Sequence, residues 1–288
     1  MSPPYFRFLM VVITGVLFSY LTEVRALAQS DNKFQQSSVL QGPTQVWDSK
    51  TGQVRAVLLC FHDIRLNGAA FEKFGQKISG LGFTCIAVDL PGFGVNQASK
   101  YVRTWNMDSA EQQLRPTLIL FSKKWRNVPL VLIGEGFGSG ICVRLANDCP
   151  KYVSGAVLIN PGIAFSALEA NSTNFSADRK VQEAILNNEL TRKGAFTAAE
   201  LEDLKKIDTE LNNEVAKIDL PVLVLLGQSD SASQISNAKE LYARINSKSK
   251  SLLELPNTNH LVLEYGLFSD KNIESISAWL DSIKVRDK

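Results

Sequence analysis

Two rhythms of apolar residues alternate along this chain. Short, largely apolar runs, as in Val57-Leu-Leu-Cys-Phe61, Thr84-Cys-Ile-Ala-Val-Asp89, Leu130–Ile133, Ala156–Ile159, Val222–Leu226 and Leu252–Leu255, predict strands buried on both faces. Between them apolar residues recur at helical spacing. Phe71, Phe74, Ile78 and Leu81 predict one helix. Leu114, Leu118, Phe121 and Trp125 predict another over about 108–125, with Pro116 expected to kink it. Ile141–Asn147, about 236–245 and about 271–285 complete the set. Val46–Asp48 and Val54–Phe61 flank Ser49-Lys-Thr-Gly52, a hairpin signal. Strands alternating with helices imply an α/β fold, a mostly parallel sheet covered by helices on both faces. From about 161 to 219 the pattern changes to polar helices without strands. This segment reads as a short helical lid inserted after the sixth strand, and Thr197-Ala-Ala-Glu200 is a capping box within it.

The ends of the chain modify this picture. Arg7 closes a short polar start, Phe8–Leu21 is uncharged and apolar, and Ala26-Leu27-Ala28 has the small-x-small form of a cleavage site. Residues 1–28 therefore read as a signal peptide cleaved after Ala28, the alternative being an uncleaved N-terminal anchor. An exported protein with no stable membrane span after cleavage is expected. Residues 29–45 are polar and aperiodic, a flexible tether to a domain over 46–288.

The 288 residues are 45% hydrophobic and 21% charged, which suits one globular domain. A formal charge of +2, without a basic stripe, excludes a nucleic-acid footprint. Export permits disulfides, yet Cys142 and Cys149 sit about 10 Å apart on one helix. Cys60 and Cys85 lie within apolar strands, so four free thiols are expected. Asn171 and Asn174 fall in N-x-[ST] sequons.

The stretch Leu130-Val-Leu-Ile-Gly-Glu-Gly-Phe-Gly-Ser-Gly140 carries the candidate chemistry. A tight strand-to-helix turn of this kind serves either as a nucleophile elbow, G-x-S-x-G, or as the start of a dinucleotide fingerprint, G-x-G-x-x-G. The second reading, a nucleotide-binding oxidoreductase, is opposed by Ser139 at the third glycine position. The following strand also ends in Asn160, with no carboxylate to hold a ribose. The first reading meets Gly136 at the nucleophile position. Ser139 and Cys142 lie too far into the following helix to replace a serine at the apex. No cofactor and no metal site is expected.

Taken together, Phe61-His62, Val88-Asp-Leu-Pro-Gly-Phe-Gly94, Gly134–Gly138, Gly227-Gln-Ser-Asp230 and Asn259-His260 resemble the α/β-hydrolase fold. The similarity is greatest to its monoacylglycerol lipase, lysophospholipase and serine aminopeptidase branch. The resemblance implies Asp230 and His260 as the acid and base of a triad. It implies the backbone N–H groups of Ile64 and Phe137 as oxyanion-hole donors, and a pocket lined by His62, Asp63 and Glu135. Glu264 is implied as a structural carboxylate, and the Asp89–Gly94 loop reads as a structural turn. Two departures follow. The serine is Gly136, leaving His260 and Asp230 as a remnant dyad, and the family's His-Gly is His62-Asp63. Asp63 would oppose an oxyanion unless it points away or is protonated.

Three functional expectations result. The first is a pseudoenzyme that binds a small apolar or acyl ligand, or a protein partner, at the former active site. The second is a weak ester hydrolase in which His260 and Asp230 activate water. The third is a protein that acts through interactions alone.

Overall fold

The computed structural model describes residues 45–98, 107–161 and 176–286. The expected signal peptide, most of the expected tether and both sequons lie outside them. Seven strands form one sheet: β1 (Gln45–Trp47), β2 (Val57–Phe61), β3 (Thr84–Val88), β4 (Leu130–Glu135), β5 (Gly155–Ile159), β6 (Val222–Gly227) and β7 (Lys250–Leu255). Their order is β1-β3-β2-β4-β5-β6-β7. All neighbours are parallel except β1, which runs antiparallel to β3. The expected hairpin between β1 and β2 is therefore corrected. Both edges of β2 are taken, by β3 and β4, and Val46 pairs with Ile86 instead. Residues Ser49–Gln53 only turn the chain, through Ser49 Oγ–H donating to the Gln53 carbonyl.

Seven α-helices are described: α1 (Glu72–Ser79), α2 (Met107–Lys124), α3 (Phe137–Asp148), α4 (Arg179–Asn187), α5 (Ala198–Glu214), α6 (Ala232–Arg244) and α7 (Asp270–Ser282). The period-2 geometry of the strands feeds both faces. Leu58, Cys60, Val131 and Ile133 share a core with Phe74 and Ile78 of α1 and with Ile273, Ile276 and Leu280 of α7. Burying each such side chain is worth about 1.5–3 kcal/mol, so this layer holds the sheet to its helices. On the opposite face α3 crosses β2, β4 and β5. The crossing is close: a Cβ at Gly138 would collide with the Phe61 carbonyl, and one at Gly134 with the Gly138 carbonyl. These two glycines of the elbow thus serve packing. Helix α2 runs through Pro116 and buries Leu114, Leu118 and Phe121.

The lid helices α4 and α5 follow the fifth strand, one earlier than expected, because a single strand precedes the parallel ones among the described residues. Thr197 and Glu200 form the reciprocal capping box at the start of α5. Val181 and Ile185 of α4 pack on Leu66 and Leu261, with Tyr265 and Leu267 at the edge. All four cysteines are free and buried. Among the described residues no helix is long and apolar enough to cross a membrane.

Candidate active site

The strand ends of β2, β4 and β6 and the loop after β7 converge on a single group, the carboxylate of Asp63. Asp63 follows β2 by two residues, and its side chain turns inward over the start of α3. Its Oδ1 accepts the backbone N–H of Ile64 and of Phe137, each at 2.7 Å. These are the two donors expected of an oxyanion hole, and Asp63 bonds to both. Its Oδ2 lies 3.0 Å from His260 Nε2, and His260 Nδ1 lies 2.8 Å from Asp230 Oδ2. The result is a linear array of carboxylate, imidazole and carboxylate.

This array fixes the charge of the ring. A carboxylate only accepts, so both ring nitrogens must carry hydrogen to satisfy it, which makes His260 an imidazolium. Burial alone would lower the His260 pKa, but the hydrogen bonds to Asp230 and Asp63 and their charges outweigh it. The ring is held protonated well above the ordinary range. The Asp63 side chain is 6% exposed and that of His260 25%, so the array reaches solvent over the imidazole.

Gly136 has φ +51° and ψ −115° and carries no side chain at the elbow apex. That backbone strains any L residue. A Cβ there would also collide with the Asp63 carboxylate. Asp63 occupies the space a side chain at position 136 would enter, so glycine at 136 and aspartate at 63 are sterically matched. Ser139 is fully buried, and its hydroxyl donates to the Gly134 carbonyl at 2.9 Å, away from His260. Cys142 is likewise buried, and burial pushes its thiol pKa well up.

The remaining expected residues hold the array from behind. His62, expected to line the pocket, is fully buried: its Nδ1–H donates to the Asp63 carbonyl at 2.7 Å, and its Nε2 accepts the Leu90 N–H. One nitrogen donates and the other accepts, so this ring is neutral; burial lowers its pKa. Glu135, also expected in the pocket, lies beneath it, accepting the N–H groups of Val262, Leu263 and Glu264. Three such bonds clamp the loop that follows His260 to the end of β4. Burial raises the Glu135 pKa to about 7 against the pull of the Val262 and Glu264 N–H groups and the His260 charge, with the Asp63 charge adding to the rise. Glu264 Oε1 accepts the Asp63 N–H at 3.0 Å. Burial, with the charges of Glu135 and Asp63, raises the Glu264 pKa well above the carboxylate range.

Asp89 ties its own loop, accepting from Gly68 N and Val95 N. Asp230 accepts the Ser231 N–H, while Ser231 itself caps α6. Sequence reasoning missed Asn160. With φ +41°, its amide donates to the Asn259 and His260 carbonyls, and its Oδ1 accepts the Gly227 N–H. It joins the Asp230 turn to the His260 loop. A polar residue closing an otherwise apolar strand was the only signal for it.

The class defined by this sheet order, elbow and His–Asp pair is the α/β-hydrolase fold, with an internal carboxylate bonded to the two N–H groups expected as oxyanion-hole donors. Within it, the profile of the Serine aminopeptidase, S33 family matches residues 52–172 and 167–264, and the chain belongs to that family. Mouse monoglyceride lipase is 20% identical over 254 residues, covering 80% of this chain and 84% of that protein. Mouse protein ABHD8 is 27% identical over 118 residues, 41% of this chain, which spans only 26% of that relative's length. Among solved structures, the monoglyceride lipase of Saccharomyces cerevisiae, bound to a substrate analogue, superposes with a TM-score of 0.70 at 18% identity. It covers 86% of this chain and 97% of that one. The Paleococcus ferrophilus monoacylglycerol lipase superposes with a TM-score of 0.66 at 17% identity, covering 83% and 98%.

Two predictions follow from the array. Of the two histidines, His260 titrates well above pH 6.5 and His62 does not gain a proton near neutrality, as ring-proton NMR against pH will show. In Asp63→Asn the His260 value falls. Because the folded value is raised, the ion pair stabilises the fold fully below about pH 6.5. That contribution is lost as pH rises through the raised value. An unshifted His260 in the unmodified protein would refute the assignment.

The second concerns the apex. Gly136→Ser alone destabilises the fold by roughly 1–3 kcal/mol through overpacking against Asp63, and it gains no ester turnover. Gly136→Ser combined with Asp63→Gly vacates the hole, recovers stability and reacts with a fluorophosphonate probe. Denaturant midpoints and probe labelling of the single and double variants measure both effects.

Proposed function

We propose that this protein is a pseudoenzyme towards carboxylic esters and binds a small neutral apolar or acyl molecule at the former active site. The observation that carries this reading is Asp63 Oδ1 accepting both oxyanion-hole N–H groups. An ester carbonyl has no donors left to polarise it, and Gly136 offers no hydroxyl to attack it. Losing such a serine from a working triad costs on the order of a million-fold in turnover. The water-activating alternative fares no better, because an imidazolium bonded at both nitrogens has no lone pair with which to accept a proton.

Support for an apolar ligand comes from what adjoins the array. Leu66 lies three residues beyond Asp63 and Leu261 directly follows His260, and both face Val181 and Ile185 of the lid helix α4. Support for neutrality comes from charge: two carboxylates flank one imidazolium, so the array carries a net negative charge that repels anions.

Purified mature protein is expected to take up no fluorophosphonate label and to cleave short acyl esters no faster than His260→Ala. Calorimetry is expected to show a monoacylglycerol binding while the corresponding fatty-acid anion does not. Ester cleavage that vanishes in His260→Ala would overturn the pseudoenzyme reading. Absence of binding to any neutral lipid would leave the interaction-only function in its place.

Export through residues 1–28 belongs to the same reading, supported by the apolar run Phe8–Leu21 and by Ala26-Leu27-Ala28. Intact-mass measurement of the protein made in its own host is expected to show a chain beginning at Gln29. A mass that includes Met1 would instead indicate the uncleaved anchor.

A further inference from the structure

The end of the sheet opposite the array carries the reverse charge. Leu130 opens β4 and Ser154 immediately precedes β5, and beside them lies a cleft of about 210 Å³, counted to its open mouth. At about 3.3 Å per residue along β4, it stands roughly 17 Å from Glu135 and the array. Three cationic side chains line the cleft, Arg126, Lys151 and Arg286. Each comes from a different part of the chain, following α2, α3 and α7 respectively. Ser122 and Ser154 line it as well, and both are buried, so hydroxyls form its floor beneath the more exposed cations.

Cations that follow a helix commonly bond its last carbonyls. Here backbone N–H groups take that part: Trp125 donates to the Phe121 carbonyl, Cys149 to Leu145 and Ile283 to Leu280. Among the described residues neither Arg126 nor Lys151 has a carboxylate partner. Arg286 reaches Asp219 at 3.8 Å, and the Asp219 side chain is 94% exposed, so that pair is weak and easily exchanged. The formal charge of the whole chain is only +2, so three cations around one cleft are a local concentration and not a general basicity. Like charges brought together cost free energy, which an anion between them returns. The backbone that presents them is tied down before any ligand arrives. Ser154 N–H donates to the Leu130 carbonyl at 2.8 Å, Tyr152 N–H to Cys149 at 2.9 Å and Val128 N–H to Trp125 at 3.0 Å. Such preorganisation lowers the cost of binding.

We propose that this cleft binds one tetrahedral oxyanion of the phosphate class, either free or as the phosphomonoester head of a lipid. A tetrahedral anion turns oxygens towards several walls at once, as cations from three elements above two hydroxyls require. A planar carboxylate presents two oxygens along one edge and leaves the other walls unmet. The two guanidinium groups offer forked N–H donors that match such an anion, and Lys151 adds a mobile point charge. Size narrows the class further. A water molecule takes about 30 Å³ of liquid, so the cleft has room for about seven water-sized groups. That suits one phosphate and a few waters, and is too small for a nucleotide or a nucleic-acid strand. The array at the far end of the strands is negative overall and repels the same anion, so the two ends of the sheet select ligands of opposite character.

The test titrates the full mature chain with inorganic phosphate at constant ionic strength, chloride being the balancing ion. Tm should rise and saturate with phosphate and with sulfate, and stay level with chloride. Amide NMR should shift at Lys151, Tyr152 and Ser154 and leave the His260 ring signals in place. Arg126→Gln combined with Lys151→Gln should weaken phosphate by about tenfold or more. Both side chains are exposed, so the variant keeps its fold. Ser154→Ala leaves every charge intact and should still weaken phosphate by about twofold to tenfold, which diffuse attraction to a basic surface would not do. Co-sedimentation with phosphatidylcholine vesicles containing phosphatidic acid separates the two sources. Binding that is lost in the double variant identifies a lipid head, and phosphate binding without vesicle binding identifies a free anion; either result supports the site. An equal response to phosphate and chloride, or a double variant that binds phosphate like the unmodified protein, would overturn it. Monoacylglycerol binding at the array is unchanged in all these variants, so the two readings stand or fall separately.

Discussion

One charge pair governs this site: the Asp63 carboxylate against the His260 imidazolium. Every other feature of the site can be read as a condition for placing that carboxylate. The Glu264 side chain and His62 Nδ1–H pin its backbone at the N–H and the carbonyl. The strand-to-helix turn supplies the Phe137 N–H, and Gly136 yields the space. The opposite pole is held just as firmly, by Asp230 on the ring and by Asn160 on the loop carbonyls. Burying a carboxylate is costly unless it is paired and hydrogen-bonded. Asp63 has a counter-ion and two N–H donors, so its burial is supported.

Behind this pair lies a layer of carboxylates that acts on structure alone. Glu135 gathers three successive N–H groups of the loop after His260, and Glu264 reaches back to Asp63. The ends of β2 and β4 and the loop following β7 are thereby linked by side chains as well as through the sheet. A shift in one of these loops is transmitted to the imidazole, so these bonds keep the array in register.

Much of this was legible in the sequence, for reasons that differ by residue. The largely apolar runs mark parallel strands because both faces of such strands are covered, and all six of the runs identified fall in strands, save Asp89, which lies one residue beyond β3. Asp230 and His260 could be placed because each sits in a short motif at the end of a strand, in a fixed chain order. Asp63 was visible as an anomaly, but its direction was not. The hydrogen bond that orients it comes from Phe137, 74 residues away, and no local pattern encodes such a contact. The partner of β1 was misjudged for a related reason. A turn signal says that the chain reverses, not which strand it reverses onto, and β2 had no free edge. His62 and Glu135 were expected at the pocket surface because they adjoin motif residues. A neighbour in sequence at a strand end alternates to the opposite side, and here that side is the interior.

The clash between a Cβ at position 136 and the Asp63 carboxylate also makes the two positions interdependent. Any side chain at the apex must push the carboxylate from between the Ile64 and Phe137 N–H groups, and so loosen its ion pair with His260. Residue 136 is thus free to vary only together with residue 63.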